Sequence, residues 1–142
     1  MKQDLYNSVT VKRTIAPVAV GTTGTGKTGK PIDRQGYGGV LFTLAYGAIT
    51  ATNAVFTATI LEGDVTSTMT SVADADLIGL ESAAGVGQAA SRADDVSKNV
   101  VKKIGYKGKK RYVAAKIVSS VTAAAIIGAD ALLFNPGQFP PA

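Results

Sequence analysis

The chain has 142 residues and a mass of 14.5 kDa, with 15 basic against 10 acidic side chains and a formal charge of +5. It contains no histidine, cysteine or tryptophan, which removes imidazole acid–base chemistry, thiolate nucleophiles, disulfides and zinc sites built from His or Cys. Charged residues are 18% of the chain, below the roughly 25% of an average soluble protein, so the surface is expected to be covered in part by a partner or by further copies.

The length fits one domain with a modest core. Val9 and Val11 open a first strand, and Ile15 to Val20 reads as a second piece broken off by Pro17, which cannot donate to a sheet ladder. Gly21 to Gly39 is glycine-rich and reads as mobile. Val40, Phe42, Leu44 and Tyr46 alternate with Leu41, Thr43 and Ala45, and Phe56, Ala58 and Ile60 alternate with Val55, Thr57 and Thr59. Period two marks half-buried strands, and the turn-rich connector Gly47 to Asn53 predicts that they form a hairpin.

Ser71 to Ser82 has a composition that tolerates helix but no apolar stripe, and Ser82 to Ser97 reads as mobile. Val100 to Ile104 is predicted to pair with Tyr112 to Ile117 across a glycine-containing turn at Gly105 to Lys110. For Ala123 to Phe134 periodicity does not separate helix from strand; strand is preferred, with Gly128 as a bulge. That stretch is also too short and too interrupted for the ~20 residues of a membrane span. No apolar run of a secretory leader follows the first charges. The tail FNPGQFPPA, with Pro136, Pro140 and Pro141, predicts an extended arm.

Many short β-branched strands between glycine turns predict an all-β, single-domain β-sandwich, jelly-roll-like, over residues 1–142. Residues 1–8 form its N-terminal arm and 135–142 its proline-rich C-terminal arm.

One motif matches in full. Gly21 to Thr28 satisfies G-x-x-x-x-G-K-[ST], in which Lys27 would reach phosphate oxygens and Thr28 would hold Mg²⁺. The loop should open a helix whose N-terminus faces the phosphate. Here Gly29, Pro31 and Gly36 follow within eight residues, which predicts a surface loop instead. Glu62, Asp64, Asp74, Asp76 and Glu81 lack a calcium-loop spacing and read as solvated carboxylates. No metal, cofactor or catalytic residue is predicted.

Lys98, Lys102, Lys103, Lys107, Lys109, Lys110 and Arg111 form a basic cluster interleaved with Tyr106 and Tyr112. Such a cluster can hold phosphates with tyrosines stacking on bases, but a charge of +5 is modest for that work. Solvation of a hairpin tip or docking on an acidic protein is preferred. The candidate protein interface is Lys102, Lys103, Tyr106, Lys107, Lys109, Lys110 and Arg111, with Phe139 and Pro140 of the tail.

Five segments in order, NSVTVKRTIAPVAV, IDRQGY, FTLAYGAITATNAVFTATILEGD, ADADLIG and IGYKGKKRYVAAKIV, resemble a family of small structural proteins of tailed bacteriophages encoded near the major capsid protein. The likeness spans roughly Ser8 to Val118. The family's last segment reads like IGYxGxKRYVR, and here Ala114 or Ala115 stands where a further basic residue is often found. The resemblance implies a jelly-roll-like decoration, or cement, protein on the outside of an HK97-type head, bridging neighbouring subunits against the pressure of packaged DNA. It implies the major capsid protein and the chain itself, as homodimer or homotrimer, as partners. It implies the virion surface as location, with the host cytoplasm during assembly. It implies no small-molecule substrate, membrane or catalytic residue, and treats Gly21 to Gly29 as a variable loop. A head–tail connector or tail component is the alternative.

Overall fold

The structure, a computed structural model, describes residues 5–20, 26–92, 98–121 and 125–136. Ten strands follow one another: β1 (Thr10–Val20), β2 (Lys27–Thr28), β3 (Ile32–Asp33), β4 (Tyr37–Tyr46), β5 (Phe56–Val65), β6 (Thr68–Ser71), β7 (Leu77–Ile78), β8 (Val100–Tyr106), β9 (Tyr112–Ser119) and β10 (Ala125–Pro136). A 3₁₀ turn at Asp74–Asp76 and one α-helical turn, α1 (Glu81–Ala84), are the only helical pieces among the described residues. The all-β sandwich expected from the sequence is what forms.

The strands make two antiparallel sheets, one in the order β1-β10-β4-β8-β7, the other β2-β9-β5-β6 with β3 also on β9. The pairs β1/β10, β2 and β3/β9, β4/β8 and β5/β6 are nested, first strand with last and inner strand with inner. That is one long antiparallel ribbon wound on itself, which is how a jelly roll closes its two sheets. The inward positions read from alternation are the core: Val40, Phe42, Leu44 and Tyr46 face Phe56, Ala58, Ile60, Val113, Ala115 and Ile117, with Ile127, Ala131 and Leu133 from β10. Each large side chain removed from water here stabilises the fold by about 1.5–3 kcal/mol. Tyr46 and Phe56 meet edge to face at 6.0 Å, one from each sheet.

The nesting corrects both expected hairpins. β4 and β5 lie in opposite sheets, and residues 47–55 cross between them. Tight hairpin loops hold two to five residues. This connector is longer and buries its own Ile49 and Ala54, so it spans the roughly 10 Å between sheets rather than turning in one. β8 and β9 part in the same way across residues 107–111.

Local irregularities also sit elsewhere than expected. Strand wins over helix for 125–136, but Gly128 pairs regularly with Ala45. The register shifts lie in β1, between Arg13 and Ile15 and between Ile15 and Val18. Pro17 therefore does not break the strand; it falls in a bulged part of an edge strand, where its missing N–H costs no ladder bond. The shift buries Thr14, whose hydroxyl donates to the Lys30 carbonyl at 2.9 Å and accepts from Ala115 N–H at 3.4 Å. Lys30 N–H donates to Thr14 O at 2.6 Å, and Gly29 N–H to Ala115 O at 2.7 Å. One threonine thus ties the two sheets together along this edge.

These bonds correct the expectation of mobility for Gly26 to Gly39, which carries β2, β3 and the start of β4. In the second stretch, α1 packs on β5, and Val86 bridges Phe56 by hydrogen bonds in both directions. Arg92 is 7% exposed and donates to the carbonyls of Ala51 at 3.2 Å, Gly87 at 3.1 Å, Thr52 at 3.4 Å and Ala54 at 2.5 Å. Of the expected arms, residues 5–8 form a turn closed by Ser8 N–H on Leu5 O, and Asn135 and Pro136 belong to β10. The rest of both arms, with Phe139 and Pro140, lies outside the described residues.

Candidate functional site

The basic cluster does not form one patch. Consecutive strand residues point to opposite faces, so on β8 Lys103 stands outside with Val101, while Lys102 follows the inward side with Ile104 and is half-buried. Tyr106 is 1% exposed and belongs to the core rather than to a stacking surface. Its hydroxyl donates to Glu62 Oε2 at 2.5 Å and accepts from Lys110 N–H at 3.1 Å. Burial first, and then the bond to Glu62, push this phenol up to about 12.

The remaining cations of the cluster ride on the crossover 107–111. Lys110 pairs with Asp64 at 2.5 Å, which raises its ammonium above the ordinary value. Arg111 holds Asp33 through two bonds of 2.8 and 3.1 Å, and that guanidinium lowers the carboxyl below the usual range. Lys107 and Lys109 are exposed. The crossover is pinned from below by Arg34, which donates to Lys110 O at 2.6 Å, Gly108 O at 2.5 Å and Tyr37 O at 3.1 Å and lies 5.4 Å from the Tyr106 ring centre. Arg34 was invisible as a structural residue in the sequence, where it stands alone in a glycine-rich run.

The larger surface feature is one the alternation implied and composition hid. Cross-strand register sets Val11 beside Leu132, Leu132 beside Leu41, Leu41 beside Gly105 and Gly105 beside Ile78. These are the outward positions of all five strands of the first sheet, so one apolar row runs across its whole width. Val11 is 63% and Ile78 57% exposed. Phe134 borders this row with its ring lying on Gly39, while exposed Val101 and Ile126 stand on the same side beyond the polar row Arg13–Asp130–Thr43–Lys103. Beyond β1 the turn at residues 5–8 adds exposed Leu5 and Tyr6, which with Val9, Val11 and Leu132 line a cleft of about 560 Å³. The outward positions of the second sheet are more mixed: Thr28, Thr57, Thr59, Ser71 and Lys116 alternate there with Leu61, Ala114 and Val118. The apolar row is therefore a stripe across the sheet, bordered by the polar row Arg13–Asp130–Thr43–Lys103, and exposed apolar stripes of this kind are where proteins meet partners.

The end of the phosphate-loop match, read from the sequence as a surface loop, is followed by no helix but is itself a strand. Lys27 and Thr28 form the short edge strand β2 on Ile117 and Lys116, and extended backbone, not helix, follows Thr28; Gly21 to Thr25 lie outside the described residues. The carboxylates are scattered: Glu62 on Tyr106, Asp64 on Lys110, and Glu81 accepting Ile60 N–H at 2.8 Å. Among the described residues no group of three or more acidic side chains could hold a metal, and no helix is long and apolar enough to cross a membrane.

No family model matches the chain, and no curated protein matches it. Solved structures overlap it loosely. The structure of infectious bursal disease virus Gx strain shares 10% identity at a TM-score of 0.44, over 93% of this chain and 35% of that one. The Clostridium thermocellum endo-1,4-β-D-xylanase 10B CBM22-1–GH10 modules with xylohexaose share 10% at 0.40, over 96% and 28%. The infectious bursal disease virus Gt strain shares 12% at 0.40, over 94% and 34%. The chain thus spans about a third of the structures it overlaps. A virus and a glycosidase at such scores carry no argument about what this chain does.

Proposed function

We propose that the protein is a structural virion protein, a decoration or cement protein that binds the outside of an HK97-type phage head and bridges major capsid subunits. The observation that carries this reading is the apolar row Val11–Leu132–Leu41–Gly105–Ile78, as wide as the sheet and continued by Leu5 and Tyr6. The ordered segment resemblance supports it, as does the low charge of 18%. The role is mechanical: a wide face of individually weak apolar contacts, repeated over a shell, gives avidity without a tight single site. Association with itself, as dimers or trimers around a symmetry axis, belongs to the same reading.

The test compares particles assembled with and without the protein. Heads lacking it are expected to release DNA at lower temperature, and adding the purified protein back should restore the wild-type threshold. Heads that are equally heat-resistant but tailless would move the protein to the connector or tail and refute the cement role.

A further inference from the structure

A second surface has a different chemistry. The bulged edge of β1 and the segment 27–33 enclose an open cleft of about 820 Å³. Lys12 and Arg13 stand on its β1 wall, and Lys27 and Lys30 on the other. Among the described residues the only carboxylate in the lining is Asp33, and Arg111 already holds it through both oxygens. The ion pairs among the described residues are Lys110–Asp64 and Arg111–Asp33, so none of the four cations is neutralised by one of them. Four cations around one concavity raise the local concentration of anions far more than the same charges spread over a convex surface.

The cleft is also preformed. Lys30 N–H and C=O are both bonded to Thr14, and Gly29 N–H to Ala115 O, while Lys12 Nζ reaches across to Asp33 O at 3.3 Å. Its two walls are edge strands of the two sheets, β1 and β2, running side by side as a bed for extended backbone. Between the cations the floor is made of small or apolar residues, Ala16, Gly29, Pro31 and Ile32, with the hydroxyls of Thr14 and Thr28. Among the described residues no aromatic side chain lines it. Single-stranded nucleic acid takes much of its binding energy from such rings, and a nucleotide phosphate would want a helix N-terminus that is not here.

We infer that this cleft is a docking groove for an extended, acidic peptide segment of a partner protein. In an extended chain alternate side chains share a side, so carboxylates at every second position meet the cations on one wall while the intervening side chains lie on the apolar floor. The inference concerns a different surface from the apolar face and does not depend on the cement reading.

The full chain is titrated with a fluorescent peptide of alternating glutamate and valine and, separately, with single-stranded oligodeoxythymidine of matched charge. The peptide is expected to bind, to weaken as salt rises, and to lose about tenfold or more in affinity with Lys27→Glu/Lys30→Glu. Lys107→Glu/Lys109→Glu, which removes the same charge from the crossover, should leave the affinity within about twofold. Amide shifts in the unsubstituted chain should move at Lys12 to Ala16 and Gly26 to Asp33, which decides the matter even if the double variant folds poorly. Three results would each overturn the inference: no peptide binding at low salt, shift changes centred on the 107–111 crossover, or tighter binding of the oligonucleotide than of the peptide.

Discussion

Arg92 is the side chain on which the crossover 47–55 rests. Its guanidinium is buried, and four carbonyls from Ala51, Thr52, Ala54 and Gly87 converge on it. A lysine carries the same charge but not the planar fork, and cannot reach carbonyls in four directions. Arg92→Lys is expected to lower unfolding stability by about 3 kcal/mol, seen as a lower denaturant midpoint with an unchanged slope. Lys110→Ala, which breaks an ion pair between two well-exposed side chains, should leave the midpoint where it is.

The two buried phenols make a separate prediction. Burial raises Tyr46 above its ordinary value, and burial with the Glu62 bond takes Tyr106 to about 12. The folded state therefore keeps protons that the unfolded chain gives up. That stability is complete below about pH 10, the ordinary tyrosine value, and is lost as pH rises toward 12. Tyr106→Phe should flatten this alkaline slope in denaturation curves taken across that range. Of these residues only Tyr46 stands out in the sequence, on the inward parity of its strand. Arg92 stands among alanines and serines, and Tyr106 beside lysines looked like a surface ring. Its direction was nevertheless legible, because it keeps the parity of Ile104 on β8, and parity decides which side of a strand is dry.

At the scale of elements, the alternating runs 40–46, 56–60 and 113–117 were read correctly as strands and their inward residues as core, because period two is a local property. Which strands pair was not legible. A glycine-rich connector looks the same whether it turns back in one sheet or arches to the other, and only its buried Ile49 and Ala54 tell the two apart. The described part of the glycine-rich stretch, Gly26 to Gly39, departs from the expected mobility for a related reason: at Gly29 the missing side chain serves close approach. A Cβ on Gly29 would meet Ala115 O at 2.8 Å and Thr14 O at 2.9 Å, in the seam between the sheets. Gly29→Ala should therefore cost about 1–3 kcal/mol in thermal or chemical unfolding. Gly87, where a Cβ meets nothing within 4 Å, should accept alanine without loss. If the two variants melted alike, the seam would not be what holds this edge.

For the whole molecule, the wound ribbon explains how an apolar stripe is assembled across one sheet. The nested pairing places β10 inside the first sheet, flanked by β1 and β4, so that Val11, Leu132 and Leu41 stand side by side on its outer side, next to the polar row Arg13–Asp130–Thr43. The low charge fraction in the sequence does not show where an apolar stripe will lie, since the row is assembled from residues as distant as Val11 and Leu132. The basic side chains likewise divide into a crossover whose Lys110 and Arg111 are paired with Asp64 and Asp33 and a cleft beside β1 whose Lys12, Arg13, Lys27 and Lys30 make no ion pair among the described residues, a division that sequence proximity alone obscures. The proposed role predicts that the apolar face, not the crossover, meets the shell. A cryo-EM map of the phage head with the protein bound tests this most directly. The account predicts density on the outer surface with Val11, Leu41, Leu132 and Ile78 turned onto major capsid subunits. A map in which that face is open to solvent, or in which the protein is missing from the head, would contradict it.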